Sequence, residues 1–183
     1  MKIYKKSLFA ILVFVTILSV LSLMKVSAQD TPLNNQQIDQ IYGNCTAAKN
    51  TLNQLHSSDA LLRVNIGQIY ESISTKLMDK FNGRLAKNSF DNVGFNSIFV
   101  SYNSALDIFR SDYKTYEEQL NSAINIDCEK QPILFYDAVV LARTDRIKVH
   151  DDIVMLNKFV DQYQTAVLQF EKDYQNSVEG LKP

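Results

Sequence analysis

Proline is almost missing from this chain. Pro32, Pro132 and Pro183 are the only three, so residues 33–131 and 133–182 can each run as helix without a proline break. Glycine is nearly as scarce, with five in 183 residues, and two of them, Gly83 and Gly94, fall near expected turns. Histidine is limited to His56 and His150. Neither belongs to H-E-x-x-H or to the Glu-x-x-His pair of di-iron bundles. His150, Asp151 and Asp152 adjoin, but neighbouring helix residues point apart, so no metal site is expected. The sequence also lacks the haem-attachment, phosphate-loop and G-x-S-x-G motifs. Paired acids such as Glu117-Glu118 read as helix surface. No catalytic residue and no cofactor is expected.

Cysteine occurs twice, as Cys45 and Cys128. An even count in an exported chain favours a disulfide. The bridge would close a loop of roughly 84 residues, which chain-entropy arguments value at about 4–5 kcal/mol. A basic stripe is absent too. Four of the 19 Lys and Arg lie in the first 28 residues and none of the 20 Asp and Glu does, so the remainder carries a net charge of about −5. Nucleic acid is therefore not an expected partner.

What is present begins with a targeting segment. Lys2, Lys5 and Lys6 precede an apolar stretch from Leu8 to Met24, and Val26-Ser27-Ala28 supplies small residues for cleavage after Ala28. The apolar stretch is long for a signal peptide. As a helix of about 26 Å it falls just short of a hydrocarbon core of roughly 30 Å. An uncleaved anchor is the alternative, and membrane contact is expected only through it. Both readings export the rest of the chain, to the outer face of the membrane or beyond. The expected organisation is residues 1–28 targeting segment, 29–34 linker, 35–178 helical bundle and 179–183 tail.

Apolar spacing sets the fold class. Ile38, Ile41, Cys45, Ala48, Leu52, Leu55, Leu62, Ile66, Ile69 and Ile73 alternate steps of three and four, with Asp59 in one slot. Leu77, Phe81 and Leu85 then continue at steps of four, a local change of period. A second series runs through Phe99, Tyr102, Leu106, Phe109, Tyr113, Tyr116, Leu120 and Ala123. A third runs from Phe135, Val139 and Ala142 through Val149, Ile153, Leu156, Val160 and Tyr163 to Tyr174, broken by Arg146. The pattern predicts an all-α, elongated antiparallel three-helix bundle, with helices near 35–86, 95–126 and 130–178. If the first helix breaks at a cap near Ser57–Asp59, the count becomes four. Asp127 is the expected N-cap of the last helix, with Pro132 in its first turn.

Two charges thus occupy core slots. Asp59 lies 14 residues past Cys45, and Arg146 lies 14 past Pro132, so parallel helices bring both to one depth. Asp112 falls at the same level. This predicts a polar layer in which Arg146 pairs with Asp59, assisted by Asp112 or the Tyr113 hydroxyl, and which fixes helix register. Asp145, Lys148, His150 and Asp152 are expected off the seam on a solvated face. The aromatic face of the second helix reads as core, or alternatively as a groove for an apolar ligand. The third helix overhangs the second, leaving Val167, Phe170 and Tyr174 either beneath the 87–94 loop or free as a partner surface.

A targeting segment, two cysteines flanking two long helices and a third helix opening with Ala142-Arg143-Thr144-Asp145-Arg146 resemble uncharacterised secreted helical proteins of candidate-phyla bacteria. That resemblance implies an envelope location and no known activity. The leading expectation is a non-enzymatic envelope protein acting in structural or protein-protein roles, with a protein partner or self-association. A second is an exported holdase chaperone similar to the Skp/OmpH group, although those are basic where this chain is acidic. A third is an enzyme of unidentified type.

Overall fold

Asn34 starts the first helix by a reciprocal cap. Its side-chain oxygen accepts the Gln37 N–H at 2.9 Å, and the Gln37 side chain accepts the Asn34 N–H at 2.9 Å. The computed structural model describes residues 33–179. The expected targeting segment and residues 180–183 lie outside the described residues.

Among the described residues the chain is all-helical, with no strand. Four helices follow in order. They are α1 (Asn35–Gly43), α2 (residues 45–87), α3 (Val93–Asn125) and α4 (Pro132–Glu179). The expected single first helix is therefore divided, and the three-helix count is corrected to four. The division is at Asn44, not at Ser57–Asp59. The Asn44 side chain donates to the Gln40 carbonyl at 2.8 Å and ends α1 there. Ser57 and Ser58 bond back to the Asn53 and Leu55 carbonyls, each at 3.0 Å, and stay inside the helix.

α2 is not uniform. An α-helical stretch, Cys45–Ser72, passes into a π-helical turn, Ile73–Met78, and then returns to α over Asp79–Lys87. The π turn lies where the apolar spacing changes to steps of four. It also moves the seam: Tyr70, Ser74, Met78 and Asn82 are buried, while Ile69 and Leu77 face outward. A wider turn keeps residues four apart on one face, which a regular α-helix would rotate away. Buried tyrosines satisfy the carbonyls around this turn. Tyr102 donates to the Tyr70 carbonyl at 2.9 Å, and Tyr163 donates to the Met78 carbonyl at 3.2 Å and to Asn82 Oδ1 at 2.6 Å. Burial raises the pKa of both phenols, that of Tyr163 to about 12, and keeps them as donors.

α3 and α4 form a long antiparallel hairpin whose core includes Leu106, Phe109, Leu120, Ala142, Val149 and Leu156. Pro132 opens α4, where its missing N–H costs nothing. Asp127 does not cap that helix. It accepts the Glu129 and Lys130 N–H groups, both at 3.2 Å, in the turn before it. A disulfide joins Cys45 to Cys128. It fastens the start of α2 to this turn, within a second apolar cluster with Phe135. Lys49 donates to the Ile126 carbonyl just past the end of α3 at 2.9 Å.

Candidate functional site

The sequence-predicted polar residues separate into two groups. Arg146 meets Asp59, with Nε donating to Oδ2 at 2.9 Å and Nη2 to Oδ1 at 3.4 Å. The tyrosine that assists is Tyr116, whose hydroxyl donates to Asp59 Oδ2 at 2.7 Å. Tyr113 instead lies under the Arg63 guanidinium, 4.9 Å from its ring centroid. Asp112 does not join Arg146. It turns to the other side of α4, where it acts on Asp152 and Lys148. One residue of offset on a helix is about 100°, enough to separate Asp112 from Tyr113.

The layer is also less buried than its place in the sequence pattern suggests. The Arg146 side chain is 51% exposed while that of Asp59 is 12% exposed. The buried charge of this stretch is its neighbour Asp145, at 8% exposure, paired with Lys148 at 2.7 Å. Asp145 was expected on the solvated face, and this is a correction. The core seam steps from Ala142 to Asp145 to Val149, so Arg146 stands at its edge.

That edge is the lip of a groove between α2 and α4, with a volume of about 390 Å³. Leu62 and Ile66 of α2 form one wall, and Ile147 and Ile153 of α4 the other. Phe109 and Tyr113 of α3 lie at its bottom with Val149. Three arginines, Arg63, Arg143 and Arg146, and His150 share the rim with a single carboxylate, Asp59. Arg63 pairs with Glu117 at 2.9 Å, whereas Arg143 makes no salt bridge among the described residues. A second recess lies between α2 and α3 on the far side of Arg63. Of the cations that line it, Arg63, Lys76 and Arg110, the last is committed to Glu71 and Asp107.

A further surface was carried by the sequence as a second spacing of seven beside the first. Phe135, Ala142, Val149 and Leu156 are buried on α4. Two residues before each, Ile133, Val140, Ile147 and Val154 are 51%, 42%, 54% and 55% exposed. Two residues turn a helix by about 200°, so these four lie away from the core, with Ile147 at the edge where this face meets the groove. Leu134, Leu141 and Met155 widen the stripe.

The overhang at the other end of α4 is covered by the chain itself. Phe90, from the loop between α2 and α3, meets Phe170 edge-on at 5.3 Å and Tyr174 at 6.0 Å. Phe170 also contacts Phe81 and Phe95, and Val167 packs on the same core. Of the two alternatives for Val167, Phe170 and Tyr174, the loop cover is the one present; only Tyr174 keeps a half-exposed face.

No family model matches the chain, and no curated protein or solved structure is similar to it.

Proposed function

We propose that this is an exported, non-enzymatic helical-bundle protein of the bacterial cell envelope that works by contact with another protein or with a second copy of itself. The observation that carries this reading is the outward apolar stripe of α4. In a helical bundle the position opposite the core is ordinarily polar. Here it holds Ile133, Val140, Ile147 and Val154 in step with the core residues behind them. Four aliphatic side chains at seven-residue intervals form a ridge about 32 Å long that winds slowly round the helix, by about 20° per interval, as the seam of two packed helices does. The disulfide is compatible with an oxidising, extracytoplasmic location. No described helix is long and apolar enough to cross a membrane.

A photo-crosslinking side chain placed at Ile147 in producing cells tests the reading. One discrete adduct is expected, its mass giving a second copy or a distinct partner, and none from the same group at Lys172. Val140→Asp with Val154→Asp should abolish the adduct and leave the melting transition within about 0.5 kcal/mol, because both positions are half-exposed. Failure to crosslink from Ile147, or the same adducts from Lys172, would remove the stripe as a contact surface.

A further inference from the structure

We propose that the groove between α2 and α4 binds a free, single-chain amphipathic carboxylate, with the acidic end at the arginine rim and the chain along the apolar bottom. The groove's 390 Å³ lies within the roughly 300–1,000 Å³ range of small-molecule sites. Its walls and bottom are mostly aliphatic and aromatic, the nearly buried Asp59 and the buried Tyr116 bond each other, and the exposed polar groups are the arginines and His150, an arrangement that orients an amphiphile.

Charge selects the sign of the head. The molecule beyond its first 28 residues is acidic, yet this rim sets three guanidiniums against two carboxylates, Asp59 on Arg146 and Glu117 on Arg63, which leaves one positive charge in excess. Arg143 is the uncommitted one. Arg63 uses Nη1 on Glu117, and Arg146 uses Nε and Nη2 on Asp59, so each keeps N–H groups to spare of the five a guanidinium carries. A planar carboxylate matches the guanidinium fork and needs one free positive charge. Depth selects a free molecule over a membrane surface. Phe109 and Val149, at the bottom, are 3% and 7% exposed, beneath anything a flat bilayer face can reach.

Calorimetric titration of the full, disulfide-bonded chain with dodecanoate below its micellar concentration tests the proposal. The comparison probes are dodecanol, dodecyltrimethylammonium and vesicles of anionic phospholipid. Dodecanoate is expected to bind one to one, at least about tenfold tighter than the alcohol or the cation, the size of one charge-assisted hydrogen bond. Arg143→Gln should weaken it by roughly five- to tenfold. Leu62→Asp, at an exposed lip of the groove, should abolish it. Arg143 has no partner to lose, so an unchanged melting curve is expected and separates lost binding from lost fold. Equal affinity for alcohol and carboxylate, no binding of any soluble probe, capture by vesicles alone, or full affinity in Arg143→Gln would each overturn the proposal.

Discussion

Asp59 carries opposed influences on its charge. Burial raises the pKa of its carboxyl, but the Arg146 guanidinium and Tyr116 hydroxyl outweigh burial and hold it below the ordinary 3.8. Asp152 is the reverse case. Burial, then the negative charges of Asp112 and Asp151, push it above 3.8, and its Oδ2 is buried without a donor. The signs follow by linkage. A lowered folded-state pKa gives stability that is present above the unfolded value and is lost as pH falls through the folded one. A raised carboxyl pKa means the folded state takes up its proton first, so acidification begins by stabilising. The melting temperature is expected to rise slightly as pH drops from 7 toward 4, and to fall below that. Asp152→Asn should erase the rise. Arg146→Met should cost about 1–2 kcal/mol at pH 7, because Asp59 is left short of a donor in a half-dry site. Adding Asp59→Leu should recover most of that loss, since an apolar pair replaces the ionic one. Thermal melts followed by circular dichroism between pH 3 and 7 read all three; a curve falling steadily from pH 7 in parent and variants alike would refute the assignment.

At the scale of elements, the end of α2 shows how a loop became a cover. The Phe90 N–H bonds the Leu85 carbonyl at 3.0 Å and the Ser89 N–H bonds that of Ala86 at 3.1 Å, a Schellman closure. Ser89 occupies its left-handed position, with φ of 59°, where glycine is the usual residue. Ser89→Gly is therefore expected to raise stability by about 0.5–1 kcal/mol, visible as a higher urea midpoint with an unchanged slope. This closure aims Phe90 at Phe170, which sequence spacing could not foretell. Other features were legible. The helices, the hairpin turn, the cysteine pair and the common depth of Asp59 and Arg146 follow from apolar spacing and residue counting. The seam position was not. Between Ala142 and Val149, steps of three then four or four then three are equally helical, so spacing alone cannot choose between Asp145 and Arg146. The same ambiguity, widened by the π turn, exchanged Ile69 for Tyr70 and Leu77 for Met78. The one break that the sequence suggests, near Ser57–Asp59, is absent because the Ser57 and Ser58 hydroxyls bond backward within the helix, and the break at Asn44 carries no signal in the apolar spacing.

At the scale of the whole molecule, the α3–α4 hairpin is the tightly packed body, and α2 lies along it. The disulfide pins α2 at one end, and the cluster of Phe81, Phe95 and Phe170 holds it at the other. Between them the groove opens. Its existence depends on how far α2 stands from α4, a distance that no periodicity encodes, whereas the outward stripe of α4 is written directly in the spacing of Ile133, Val140, Ile147 and Val154. Removing the bridge by Cys45→Ser with Cys128→Ser should lower unfolding free energy by about 4–5 kcal/mol if chain entropy governs it. The helical signal at room temperature should persist, because the hairpin core does not include the bridge. Equal denaturation midpoints with and without the bridge would contradict the pinned arrangement.

The bridge has a mechanical consequence as well. A pull applied at Asn34 and at Glu179 enters α1, reaches Cys45 and passes through the covalent bond to Cys128, then runs lengthwise into α4. Residues between the two cysteines, 83 positions apart, are left out of the load path. Stretched to rupture, the oxidised chain would stop short of the reduced one by about 280 Å, the length of that shielded loop at roughly 3.4 Å per residue. All of α3 and the α2 wall of the groove lie inside the shielded loop, whereas the α4 wall lies on the load path, so tension on the ends would strain one side of the groove and leave the other slack.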